Sequence, residues 1–178
     1  MIEQTTLSWE THEGVTTVIP CKLEYNTATN GFSLIGYHVA DETFHYYALD
    51  TLPIVTVGEV PVEIDTNALY KEYQETKRQT VVFTIYDLNN AIDRCFNAFS
   101  NYEIVGSETE PNTFTLTIEY LPFQEKDIVR ILLSLGAAVR VHEPQAIKEK
   151  LDTIYNQAIT LLVENDETSY TPYGFDAV

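Results

Sequence analysis

Between residues 112 and 158 the apolar pattern changes period several times, and those changes constrain the fold more than any other feature of the chain. Phe114, Leu116 and Ile118 alternate with Thr115 and Thr117, the period of a strand with one buried face. Ile128, Ile131, Leu132 and Leu135 then fall at i, i+3, i+4 and i+7, one face of a helix. Gly136 is placed to end that helix in the left-handed conformation. Residues 137–141 are short and apolar enough for an inner strand. Pro144 suits the first turn of a further helix, where its missing N–H costs nothing. Ile147, Leu151, Ile154, Ala158, Leu161 and Leu162 line that last helix. The result is a strand–helix–strand–helix unit.

The preceding residues complete it. Residues 81–86 form a β-branched and aromatic strand, and Asp87 is expected to cap a helix bearing Leu88, Ala91, Ile92, Cys95, Phe96 and Phe99 on one face. Residues 102–107 and 114–120 read as a hairpin joined by an acidic turn over 108–112. The order is β-α-β-β-α-β with an extra C-terminal helix, a ferredoxin-like pattern.

Residues 1–60 have a different rhythm, that of antiparallel strands. Strands are expected over 5–11, 15–25, 32–40 and 44–49, with 52–57 pairing afterwards or running as an irregular edge. Glu13-Gly14 and Asp41-Glu42 are turn signals, as is the Thr/Asn/Gly cluster over 26–31. Pro20 points to an edge, a bend or a bulge. Such strands suggest a small curved sheet or partly open barrel. Thr66 is an expected N-cap for about two helical turns over 68–74, within a charged connector. The α+β chain is therefore expected to divide into a β-barrel domain (1–65), a connector (66–80), a ferredoxin-like domain (81–165) and a tail (166–178).

Charge bounds the partners. Ten Lys and Arg stand against 27 Asp and Glu, a formal net charge of −17, and Lys22 is the only base in the first 70 residues. A field of that sign repels phosphate backbones and makes direct DNA binding an unexpected role. No apolar run is long enough to cross a bilayer, and the N-terminus lacks the basic and apolar regions of a secretory signal. Cys21 and Cys95 are far apart and lie in apolar contexts, which reads as reduced thiols in a cytoplasmic protein.

Catalytic signatures are missing: there is no HExxH, GxSxG, P-loop or GxGxxG, and no nucleophile with an adjacent base. The chain is expected not to be an enzyme and to need no cofactor. Of the four histidines, His38 and His45 with an acid are the combination that neighbouring strands can bring together around a metal. A surface or half-buried role is the favoured reading of both, and no metal is expected. Tyr25, Phe32, Tyr37, Phe44, Tyr46 and Tyr47 crowd the first half, where aromatics either fill a small barrel or stack on nucleobases. Tyr46 and Tyr47, being adjacent, must face opposite sides.

Taken together, the two halves resemble the WYL domain of bacterial transcription regulators and the extension that follows it. The extension's strand, Gly-terminated helix and strand ending in Glu-Pro are similar to residues 114–120, 128–136 and 139–144. The Pro-x-x-Leu-x-Tyr strand of the WYL domain resembles Pro20, Leu23 and Tyr25. Its Trp-Tyr-Leu step is similar to Phe32, Ser33 and Leu34, and its Phe-Arg-Leu-Asp-Arg-Ile segment to residues 47–52. Both arginines of that segment are replaced, by Ala48 and Thr51, and the chain begins without the winged helix-turn-helix usual in the family. The resemblance implies an SH3/Sm-like barrel and a groove for a nucleotide-like ligand. Lys22, Tyr25, Ser33, His45, Tyr47 and Thr51 are its candidate ligand-binding residues. It also implies association with a second copy or with a related regulator. The alternative reading is an acidic interaction protein that mimics nucleic-acid charge and blocks a DNA- or RNA-binding partner.

Overall fold

A computed structural model describes residues 4–26 and 31–167. These form two antiparallel sheets and four α-helices, a mixed α+β protein. The first sheet comprises β1 (Gln4–Thr11), β2 (Gly14–Asn26), β3 (Gly31–His38), β4 (Thr43–Ala48) and β5 (Thr56–Val62), in the order β4-β3-β2-β1-β5. The first turn lies one residue earlier than expected. Thr11 pairs with Gly14 across His12 and Glu13, and Gly14 takes the positive φ of 131° that a side chain would resist. Pro20 sits at the expected irregularity, a register shift between Pro20 and Lys22. It is tolerated in an inner strand because the pairing with β1 ends at Leu7 and Val18, so no ladder bond is asked of its nitrogen on that side. The expected turn over 26–31 falls largely on residues outside those described. The fifth strand begins at Thr56 rather than residue 52, after a 3-10 turn (Leu49–Thr51) and a stretch containing Pro53.

Both faces of this sheet are apolar. Ser33, Leu34, Ile35 and Gly36 are four successive buried residues of β3, although alternate side chains point to opposite sides. By register, Ile19, Ile35, Phe44 and Tyr46 share one face, and Val18, Leu34, His45 and Tyr47 share the other. Helix α1 (Thr66–Lys77) covers the first face, with Tyr70 and Tyr73 meeting the Phe44 ring at centroid distances of 5.0 and 5.3 Å. Trp9 meets Tyr47 edge-on at 5.0 Å on the second. Gly36 lies so close to Val18 that a Cβ there would collide with it. The cap of α1 is Asp65, not Thr66. Its carboxylate accepts from the Asn67 and Ala68 backbone N–H groups, each at 3.1 Å, while Thr66 is buried.

The second sheet comprises β6 (Gln79–Tyr86), β7 (Ile104–Glu110), β8 (Thr113–Tyr120) and β9 (Val139–Glu143), in the order β7-β8-β6-β9. Helix α2 (Ala91–Ala98) follows β6, α3 (Glu125–Leu135) follows β8, and α4 (Gln145–Glu167) follows β9. Val81, Phe83, Ile85, Leu116 and Ile118 meet Ala91, Cys95 and Phe99, then Ile128, Leu132 and Leu135, then Ile147 and Leu151, in one core. Several expectations shift. Asp87 does not cap α2: Asn89 and Asn90 turn the chain with positive φ, the helix starts four residues after Asp87, and Leu88 and Phe96 are exposed. Asn tolerates that conformation better than most residues. The β7–β8 turn is tighter than expected, with Asn112 at φ 61°. Gly136 does end α3 with positive φ, but its ψ of −134° lies outside the left-handed helical region. Pro144 precedes α4, and its carbonyl accepts from the Ile147 and Lys148 N–H groups. Among the described side chains of α4, Ile147 and Leu151 near its start are buried, while Ile154, Ala158, Leu161 and Leu162 are exposed. Cys21 and Cys95 are free thiols. No described helix is long and apolar enough to cross a membrane.

Burial pushes the Cys95 thiol from 9.0 up to about 12 and the Tyr120 phenol from 10.0 up to about 12. Each group therefore holds its proton more tightly in the folded chain. Its stabilising contribution is complete below the unfolded value and is lost as pH rises towards the folded one. The thermal unfolding midpoint should be level from neutral pH to about 9 and fall progressively towards pH about 12, with Cys95→Ala flattening the first part of that fall. A wild-type midpoint unchanged between those limits in a pH series of thermal melts would contradict this account.

Candidate functional site

The two sheets meet through stacked rings. Tyr46, on the α1 face of β4, and Tyr73 of α1 each lie 6.2 Å from Phe123, with interplanar angles of 8° and 14°. Phe123 belongs to a 3-10 turn (Pro122–Gln124) between β8 and α3. That turn is held by Gln124, whose Oε1 accepts the Leu121 N–H at 2.8 Å. Pro122 opens the turn at no hydrogen-bonding cost, because first-turn N–H groups have no intrahelical partner.

Beside this junction is a cleft of about 310 Å³ lined by Lys22, Leu23, Glu24, Tyr25, Tyr46, Asn101, Tyr102, Gln124 and Asp127. The bulge in β2 brings Lys22 level with Ile35, on the same face as Tyr46. Its ammonium donates to Glu24 Oε1 at 2.7 Å. Asp127 accepts from the Arg130 guanidinium at 2.7 Å. Burial, with the Asp127 carboxylate adding to it, raises the Tyr102 phenol well above its ordinary value, so that hydroxyl is neutral and can donate. The cleft thus offers tyrosine faces, two side-chain amides and charges already balanced in pairs, a lining suited to a flat, largely neutral group.

The opposite face carries a second cluster. His38 Nδ1 lies 2.8 Å from Asp41 Oδ1, and His45 Nε2 lies 2.7 Å from Asp41 Oδ2, so one carboxylate accepts from both imidazoles. The rings of His38 and His45 meet edge-on at 5.1 Å, and Tyr47 lies 6.1 Å beyond His45. Burial would raise the Asp41 pKa, but hydrogen bonds to His45 and His38 and their charges outweigh it and hold the carboxyl below its ordinary range. Burial, assisted by the Asp41 charge, pushes the Tyr47 phenol up to about 12.

The six residues singled out from the sequence do not form one site. Lys22 and Tyr25 line the cleft. Ser33 is buried in β3. His45 and Tyr47 lie on the far side of the same sheet, with Tyr47 against Trp9. Thr51 donates to the Ala48 carbonyl at 2.9 Å within the 3-10 turn that follows β4. Of the adjacent tyrosines it is Tyr46 that reaches the cleft. Asn101, Tyr102, Gln124 and Asp127 come from the second sheet's connections. No local spacing announces them, although Tyr102 and Phe123 are aromatics placed in or beside turns. Asp41 is legible in the sequence as a turn residue shortly before His45, but nothing in the spacing singles it out as the acid that joins the two histidines.

No protein-family model and no curated protein matches the chain. Among solved structures, proteasome accessory factor B/C (PafBC) of Arthrobacter aurescens is similar over 84% of this chain, with 16% sequence identity and a TM-score of 0.36. The similar region is 24% of the PafBC chain, so this protein spans about a quarter of that length.

Phe123 is expected to tie the sheets together. Phe123→Ala removes both ring contacts from a half-buried position and should cost about 1–3 kcal/mol, less than truncation of a fully buried Phe. A urea denaturation series on the full chain measures it, and a change under roughly 0.5 kcal/mol, the range of ordinary surface substitutions, would remove Phe123 from this role.

Proposed function

We propose that this chain is a non-enzymatic regulatory or accessory module of the cytoplasm, with a ferredoxin-like second domain, whose cleft takes a small planar, nucleobase-like ligand. The observation that carries this reading is the convergence of Tyr46 and Tyr102 on one cleft beside Lys22, Asn101 and Gln124; Tyr25 also lines it, but by register its ring belongs to the other face of the sheet, where it packs on Phe32 at 5.0 Å. Aromatic faces stack on any base, and amides pair with the donors and acceptors of a base edge. Lys22 is the one cation in that lining and stands with Glu24 and Asp127, which favours a nucleoside over a polyphosphate. The resemblance to WYL-containing regulators supports the same class. The order β7-β8-β6-β9 is consistent with a split βαβ unit, and β5 returning to β1 is consistent with a small barrel. In this reading residues 1–65 and 81–165 are the two domains, and a second copy or a related regulator is the protein partner.

The test is titration of the full chain with nucleosides, nucleoside monophosphates and short single-stranded oligonucleotides, for wild type and Tyr46→Ala. Wild type should bind at least one nucleoside. Tyr46→Ala should weaken it by roughly 5–150-fold, the equivalent of losing about 1–3 kcal/mol of stacking. Failure of wild type to bind any of them would overturn the reading.

The second reading rests on the charge of −17. An acidic protein of this kind would occupy the basic surface of a nucleic-acid-binding partner and displace its nucleic acid. That complex should weaken steeply between low and high salt, because exposed charges are screened within a Debye length of about 10 Å at 0.1 M. Co-purification unchanged across a salt gradient would count against it.

A further inference from the structure

We propose that His38, Asp41 and His45 form a binding site for a divalent first-row transition-metal ion, with zinc as the best fit to the donor set. The proposal is independent of the cleft and lies on the other face of the first sheet. His38 closes β3 and pairs by register with Thr43, which opens β4; His45 pairs with Gly36. The two histidines are therefore diagonal neighbours on one face of one hairpin, a position that long side chains can bridge. The intervening turn returns Asp41 over them, with Glu42 in the left-handed region at φ 54°.

The three donor atoms are already convergent. Nδ1 of His38, Nε2 of His45 and a carboxylate oxygen of Asp41 all lie within 4.8 Å of one another. Around a tetrahedral ion with bonds of about 2.0–2.2 Å, ligand atoms are separated by roughly 3.4 Å. The widest gap must therefore close by at most about 1.4 Å, within reach of side-chain rotation because Asp41 and His45 are partly exposed. Two imidazoles and one carboxylate make up the three-ligand set that leaves a coordination position open for water or an exogenous donor. His38 is less exposed than Asp41, so the set has a more enclosed member and a more solvent-facing one. The overall charge of −17 raises the local concentration of cations. Metal binding replaces the two imidazole–carboxylate hydrogen bonds with coordinate bonds to the same atoms, each ring nitrogen first giving up its proton, to the ring's other nitrogen in a neutral imidazole or to solvent from an imidazolium.

A carboxylate clasp that only closes the hairpin would have the same apo geometry, and metal titration separates the two. Chelator-treated full-length protein is titrated with zinc chloride by calorimetry, and with cobalt chloride while visible absorption is followed. One equivalent should bind. His38→Ala and His45→Ala should each weaken binding by about 100-fold or more, since even changes to outer-shell partners cost 10–100-fold. His12→Ala, which alters an exposed histidine beside Glu13, should leave it unchanged. Should either variant fail to fold, imidazole proton resonances of wild type decide the matter. Zinc should move those of His38 and His45 and leave those of His12 and His142 in place. No saturable binding, binding that survives both histidine substitutions, or resonance shifts confined to other histidines would overturn the site.

Discussion

The constraint from which the rest follows is that β3 is buried on both faces. Leu34 and Ile35 are neighbours in sequence and point to opposite sides, yet neither reaches solvent to any extent. A strand of this kind cannot lie at the surface of a one-sided sheet; each face needs its own cover. The two covers differ. Helix α1 and the Phe123 turn supply one, through Phe44, Tyr46, Tyr70 and Tyr73. The sheet itself supplies the other, by bringing Trp9 over Tyr47 with Gly36 pressed against Val18.

That division also sorts the chemistry. Because adjacent residues of β4 alternate, Tyr46 is committed to the face that meets the second sheet, and His45 and Tyr47 to the face that does not. The cleft beside the second sheet and the His38–Asp41–His45 cluster are consequences of one alternation read from its two sides. Neither could move to the other face without a one-residue slip, which would turn every side chain of the strand to the opposite cover and break the packing on both sides. The same logic sorts the six residues chosen from the sequence: by register Lys22 and Ser33 share the Tyr46 face, Tyr25, His45 and Tyr47 share the other, and Thr51 lies in the turn after β4.

The second sheet is simpler. Its strand β6 pairs with both β8 and β9, and three helices close one face of it around Phe83, Leu116 and Leu132. Its connections, not its strands, do the work at the cleft. Asn101 and Tyr102 follow α2, while Gln124 and Asp127 open α3. The second sheet thus presents the turn after α2 and the start of α3 to its neighbour, an arrangement in which polar and aromatic side chains are placed without disturbing the core.

What the sequence by itself determined is the element pattern. Alternation in 114–118, the i, i+3, i+4, i+7 spacing in 128–135, and the turn residues at Asp41-Glu42 each act locally, through sterics and side-chain direction, so they are legible in one dimension. The misplacements are local too: Asp65 displaced Thr66 as a cap because the stronger acceptor lay one residue earlier, and two asparagines with positive φ delayed α2 beyond Asp87. What only the tertiary structure decided is which faces are covered and by what. The apolar stripe of α4 is read by the same spacing rule as that of α3, yet among its described side chains Ile147 and Leu151 are buried while Ile154, Leu161 and Leu162 are exposed. Likewise Tyr46 and Tyr47 are equivalent in sequence, and Asp41 is an ordinary turn residue. Their roles arise from Phe123, Trp9 and two histidines that are close in space for reasons of sheet register and packing, which no local spacing encodes.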